Sequence, residues 1–128
     1  MSGRLEFTIP GDVVRSLGAN QIRRLHWAEW GRRVAAWKNR SWLCWLHAGG
    51  ICFHNPVRIT YTIRRSRKCD LDNAAAATKA ITDGLKGRGL MILDDGPEWL
   101  TAVLTRLETG DEWKDDPQVL VTVEECDG

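Results

Sequence analysis

The sequence predicts an α+β fold: a single domain over residues 1–128, in which a mixed β-sheet of about four strands packs against two main helices. Three observations predict it. Stretches of alternating apolar and polar residues stand at the start, in the middle and near the end of the chain. Two stretches with apolar residues at helical spacing lie between them. A chain of 128 residues, 43% of them hydrophobic, suffices for one core and one domain.

The elements follow in order. Leu5, Phe7 and Ile9 alternate with Glu6 and Thr8, which gives a short strand with one buried face, closed by Pro10-Gly11. Residues 12–22, with Gly18, Ala19 and Asn20, read as an irregular connection. From about Arg23 to Ala48 the period becomes helical. Trp27, Trp30, Val34, Trp37 and Trp45 lie near one stripe, Arg32, Arg33, Lys38 and Arg40 lie around it, and Gly49-Gly50 ends the helix. A bulky helix packed on a sheet accounts for Trp30, Trp37 and Trp45, which leaves Trp27 and Trp42 as candidates for stacking on unpaired bases. Val57, Ile59, Tyr61 and Ile63 alternate with Arg58, Thr60, Thr62 and Arg64, a strand that runs into Arg64-Arg65-Ser66-Arg67-Lys68. A second helix is expected from about Ala74 to Leu85, capped by Asp72 or Asn73 and ended by Gly87 and Gly89. Two later strands, Trp99 to Leu107 and Gln118 to Glu124, are joined by the acidic loop 110–116.

Several classes are excluded or disfavoured by composition. No apolar run approaches the ~18–20 residues of a membrane span, and the N-terminus lacks the apolar core of a signal peptide. The expectation is a cytoplasmic protein with no membrane partner. Cys44, Cys52, Cys69 and Cys126 form no C-x-x-C pair and no zinc-finger spacing to a histidine, so reduced thiols are expected. The net charge of +1 conceals an asymmetry: residues 1–69 hold 13 Lys and Arg against 3 Asp and Glu, and residues 70–128 hold 5 against 14. Either the two halves pair internally, or a basic surface for phosphates lies beside an acidic pocket for a cation.

The chemistry-bearing stretch runs from Arg64 to Asp95. Asp70 and Asp72 stand two apart; in extended backbone both carboxylates point to one side. Two such carboxylates repel unless a cation neutralises them. Hard oxygen donors suit Mg²⁺, which takes one or two carboxylates and keeps waters for substrate phosphates. Asp94 and Asp95 are candidates to complete the site, although Asp72-Asn73 also reads as a helix cap and Asp94-Asp95 as a polar turn. Lys79 and Asp83 stand four apart, either as an exposed pair of small effect or with Lys79 set over a phosphate.

These residues resemble the RusA family of Holliday junction resolvases of bacteria and their phages. The order D-x-D-N, K-x-x-x-D-G-L, D-D is present as Asp70, Asp72, Asn73, Lys79, Asp83, Leu85, Asp94 and Asp95. Lys79 stands seven residues after Asp72, where the common form has a lysine at four; Ala76 occupies that offset here. The spacing looks like the longer D-x-D-N-x₅-K-x₃-D-G-L form of actinobacterial and actinophage members. Asn20-Gln21-Ile22-Arg23-Arg24-Leu25-His26-Trp27 is similar to the segment that precedes the first long helix in those members. The likeness spans roughly residues 5–107.

The resemblance implies a Mg²⁺-dependent homodimer, with Mn²⁺ as an alternative ion, that nicks two opposed strands of a four-way DNA junction and leaves 5′-phosphate and 3′-hydroxyl ends. It carries over Asp70, Asp72 and Asp95 as catalytic metal ligands, with Asp94 as the alternative to Asp95, and Lys79 as a catalytic or phosphate-contacting lysine. Asn73 and Asp83 would support them. Arg64, Arg65, Arg67 and Lys68 would hold the DNA backbone, with Asn20, Arg23, Arg24 and His26 close to the DNA. His26 has two further readings, as a general base or as a helix-start histidine in a structural hydrogen bond, of which the second is favoured. Two other functions compete: another metal-dependent, structure-selective nuclease, and a DNA-binding module without catalysis.

Overall fold

In the computed structural model, which describes residues 3–126 apart from the side chains of Ile22 and Arg23, the alternating stretches meet in a mixed sheet. Its strands are β1 (Arg4–Pro10), β2 (Val57–Arg65), β3 (Leu100–Thr109) and β4 (Gln118–Glu125), in the spatial order β1-β4-β2-β3. β4 is antiparallel to both neighbours, whereas β2 and β3 are parallel. A tight turn cannot join parallel neighbours, so the chain between them makes a crossover. That crossover holds every residue from Asp70 to Asp95.

Register explains the alternation. Leu5, Val123 and Ile59 stand side by side, as do Phe7, Val121 and Tyr61, and Ile9, Val119 and Ile63. All nine are buried, so one face of the sheet is apolar across β1, β4 and β2. The opposite face carries the ion pairs Arg58–Glu124 and Arg64–Glu108, each at 3.3 Å, which join the basic and acidic halves of the sequence. Such exposed pairs contribute at most about 1 kcal/mol each.

Helices α1 (Val13–Leu17), α2 (Ala19–Arg24), α3 (Trp27–His47), α4 (Leu71–Ala77) and α5 (Lys79–Leu85) complete the α+β architecture. They bury Val13, Val14, Leu17, Trp37, Trp45, Ala74, Ala77, Ile81 and Leu85 in one core with the apolar sheet face. Trp45 satisfies its buried indole by donating from Nε1 to the Ile51 carbonyl at 2.8 Å. Trp30 and Trp42 are partly buried against the core, and Trp27 is 80% exposed. α3 ends where Gly50, at φ +62°, enters the left-handed region and donates its N–H to Trp45 O. No described helix is long and apolar enough to cross a membrane.

The helices differ from expectation at three places. Residues 12–22 are not irregular: Asp12 caps α1 by accepting from Arg15 N at 3.1 Å, and Val13, Val14 and Leu17 form its buried face. The first long helix begins at Trp27 rather than Arg23, because His26 is its cap and accepts from Ala28 N through Nδ1. The second helix begins at Leu71, capped by Asp70 rather than by Asp72 or Asn73, and breaks at Thr78, whose hydroxyl donates back to Ala75 O at 2.9 Å. The loop after α5 also contributes core that the sequence reading did not anticipate. Met91 and Ile92 are buried, and Phe53 N donates to Met91 O at 2.8 Å.

Tyr61 makes the stability depend on pH. Its hydroxyl lies 2.6 Å from Thr82 Oγ1 in the core, and burial, partly opposed by that bond, pushes the phenol well above its usual range. The group stays protonated in the folded chain while the unfolded chain ionises above about pH 10. Its contribution is therefore full below the unfolded value and falls as pH rises, by up to about 1.4 kcal/mol per pH unit. Tyr61→Phe is expected to flatten the loss of stability in urea titrations between neutral and alkaline pH. An unchanged slope would remove Tyr61 from the effect.

Candidate nucleic-acid interface and carboxylate cleft

The C-terminal end of β2 delivers Arg65, Ser66, Arg67 and Lys68 to a surface shared with α1. Arg65 is fixed there. Its guanidinium donates to Asp12 Oδ2 at 3.2 and 3.3 Å, with both side chains largely buried. Asp12 thus caps α1 through one oxygen and anchors Arg65 through the other. Two clefts, of about 520 and 360 Å³, open on either side and share Arg15, Arg65 and Arg67 as lining. The larger ends at Trp113 and Lys114, the smaller at Lys68, Asp70, Asn73 and Asn20. Among the described residues Arg15, Arg67 and Lys68 make no ion pair. Free cations shared by two neighbouring clefts suit a phosphate backbone.

The other residues assigned to DNA are divided. Asn20 lines the smaller cleft, and Arg24 is exposed on α2. The Arg23 side chain lies outside the described residues. His26 is engaged as the cap of α3, which matches its structural reading. Arg64 does not line either cleft. It is held by Glu108, donates to Gln118 Oε1 at 3.2 Å, and stacks over Trp113 at 5.0 Å from the ring centroid.

Two of the carboxylates, Asp83 and Asp95, meet at a third cleft, about 260 Å³, lined also by Lys79, Ala75, Thr82 and Val103. Asp72, exposed in the first turn of α4, does not line this cleft; Ala75, one helical turn on, does. Asp70 does not line it either. Its Oδ1 accepts from Asn73 N at 2.8 Å, and the helix starts directly after it. The alternation that would aim Asp70 and Asp72 to one side stops at Asp70, because helical residues turn by about 100° each. Asp94 accepts from the backbone N–H of Asp95 at 2.8 Å, a local turn.

Lys86 dominates the electrostatics of the carboxylate cleft. Its ammonium donates to Asp95 Oδ2 at 2.9 Å and lies 3.1 Å from Asp83 Oδ1, an ion-pair contact off the hydrogen-bonding direction. The hydrogen bond from Lys86 holds the Asp95 carboxyl below its ordinary range, and Asp95, then Asp83, push the lysine above its own. Asp83 therefore pairs with Lys86, and Lys79 makes no ion pair among the described residues although it lines the cleft. The donors fit Mg²⁺ in kind, being carboxylate oxygens around one polar cleft. No three His, Cys, Asp or Glu side chains among the described residues form a metal-holding group, and Lys86 occupies the cation position between Asp83 and Asp95. Lys86→Met is expected to move the Asp95 carboxyl upward toward its ordinary value, read by carboxyl-carbon NMR titration. A titration unchanged from wild type would show that the pair does not persist in solution.

Asp12, Arg15, Lys86, Trp113 and Lys114 were not singled out from the sequence. Asp12 left a signal, a capping residue followed by apolar residues at helical spacing, and Lys86 another, three residues after Asp83. All four cysteines are free thiols, and burial pushes that of Cys44 up. In comparisons with known proteins, no family model and no curated relative match the chain.

Proposed function

We propose that this chain is a metal-dependent endodeoxyribonuclease that cuts branched DNA, a homodimeric junction resolvase of the RusA kind. The observation that supports this best is the adjacency of two surfaces at α4. The smaller basic cleft reaches Asp70 and Asn73 at the start of α4, and Ala75 of the same helix lines the cleft that holds Lys79, Asp83 and Asp95. A nuclease needs both: cations to seat the backbone, and carboxylates beside a scissile phosphate.

In this reading Arg15, Arg67 and Lys68 bind the strand, and Arg65 is positioned by Asp12. Lys79, free of Asp83, places its ammonium against the scissile phosphate and stabilises charge that builds there. Asp72 and Asp95, with Asp70 at the head of α4, would hold Mg²⁺ or Mn²⁺. A bound ion supplies a polarised phosphate oxygen and a water acidic enough to attack in line. Lys86 must release Asp95 for that ligand set to form. A two-fold junction suits a two-fold enzyme. The edge strand β3 offers exposed Val103 and Leu104 for a partner copy, beside the carboxylate cleft that Val103 also lines.

A non-catalytic DNA-binding module is the second reading, favoured by the structural engagement of two of the carboxylates: Asp70 as a cap and Asp95 as an ion-pair partner. The deciding experiment is a nicking assay on an end-labelled four-way junction beside a linear duplex of the same sequence, with Mg²⁺ and with chelator. Paired symmetric nicks on the junction alone, lost with chelator, support the resolvase. Equal cutting of the duplex points to a different structure-selective nuclease. Tight binding without nicks in Mg²⁺ or Mn²⁺ points to the binding module.

A further inference from the structure

The larger cleft of the basic groove contains something a duplex backbone does not need. At its far end from Asp70 stands Trp113, on a short 3-10 turn (Asp111–Trp113), half-buried and set in the cleft wall. The indole is not part of the hydrophobic core. Its support is the Arg64 guanidinium, 5.0 Å from the ring centroid, which is itself held by Glu108 and Gln118. A ring braced in this way is a rigid platform, and an aromatic face beside cations stacks nucleobases whatever their sequence.

The charge around Trp113 also suits a nucleotide. Of the two carboxylates in the cleft wall, Asp12 is neutralised by Arg65. Arg15, Arg67 and Lys114 then stand against Asp115 alone. The volume, about 520 Å³, lies within the range of pockets that take a single small ligand, roughly 300–1,000 Å³. A base inside a duplex has both faces covered by its neighbours, so only an unpaired or extruded base can use the indole.

We propose that this cleft takes one unpaired nucleotide of the DNA strand, its base stacked on Trp113 and its phosphates held by Arg15, Arg67 and Lys114. This rests on the reading of the groove as a DNA interface, and it adds a preference: strands with an unpaired nucleotide near the cut are bound in favour of uninterrupted duplex. Because Arg15 and Arg67 line both clefts, the nucleotide on Trp113 and the strand leading to Asp70 belong to one path.

The test is binding in chelator, so that cleavage plays no part. Two fluorescent duplexes are compared, one fully paired and one with a single unpaired 2-aminopurine nucleotide, against wild type, Trp113→Ala and Trp113→Tyr. Wild type is expected to bind the bulged DNA about tenfold more tightly than the paired DNA and to quench the 2-aminopurine by stacking. Trp113→Ala should lose the preference and the quenching, and Trp113→Tyr should keep most of both. Equal affinity of wild type for the two duplexes, or an equal loss on both with Trp113→Ala, overturns the proposal. Should Trp113→Ala fail to fold, the wild-type preference and its retention in Trp113→Tyr decide the matter. A Trp113-dependent preference without junction nicking in Mg²⁺ would sink the nuclease reading alone. Junction nicking by a wild type that shows no such preference would sink the nucleotide cleft alone.

Discussion

Asp72→Asn is expected to lower junction cleavage by about a hundredfold or more while leaving binding in chelator unchanged or tighter. The magnitude is that of removing one group that stabilises charge in the transition state, on the order of 10²–10³. The separation of effects comes from position. Asp72 is exposed in the first turn of α4 and is not its cap, a role held by Asp70, so the helix loses only the interaction of one exposed charge with its N-terminus, about 0.3–1 kcal/mol. Asparagine keeps the shape and removes a negative charge close to where phosphates pass, which favours binding. Thermal unfolding of the variant should shift by no more than a few degrees from wild type. Cleavage at the wild-type rate would show that Asp72 plays no part in catalysis. Asp70→Asn is the informative companion, since asparagine caps as well as aspartate and α4 should survive that exchange.

The fate of these two carboxylates shows what the sequence could reveal. The alternation of Leu5 to Ile9 and of Val57 to Ile63 carried β1 and β2 in full, because a period of two has one solution when one face is buried. The helix starts were less legible. Asp70, Asp72 and Asn73 can all cap, and the choice among them depends on where β2 delivers the chain. His26 is not among the common caps, so periodicity alone placed the start of the helix earlier, at about Arg23. The basic run and Lys79 were visible as composition. Their partners were not: Asp12 and Arg65 are 53 residues apart in the chain and meet only because the fold brings the start of α1 beside the end of β2. Lys86 stood three residues from Asp83, a spacing open to inspection, yet its second partner Asp95 comes from the far side of the loop that buries Met91 and Ile92.

Gly84→Ala is expected to cost about 3 kcal/mol, at the upper end of what overpacking a core does, and to lower the melting temperature by on the order of 10 °C. The reason lies in the approach of α5 to α3. A Cβ built on Gly84 meets the Lys38 carbonyl oxygen at 2.5 Å, its Cα at 2.8 Å and its carbonyl carbon at 3.0 Å. These are backbone atoms in the middle of a helix that also holds Trp37 and Trp45 in the core, so they cannot swing aside as a side-chain tip can. Relief requires α5 to move away from α3. Ile81 and Leu85, both fully buried on α5, would be drawn out with it, and so would Asp83, which lines the carboxylate cleft. The glycine in Asp83-Gly84-Leu85 is thus a packing requirement that sits next to a charged cleft. Alanine is otherwise the better helix former by about 1 kcal/mol, so sterics and propensity point in opposite directions. Calorimetry on the full chain separates them. A melting temperature at or above wild type would mean that propensity wins and that the two helices are not in close contact. A large fall with the Lys86–Asp95 titration also disturbed would show that the spacing of α3 and α5 sets the geometry of the cleft.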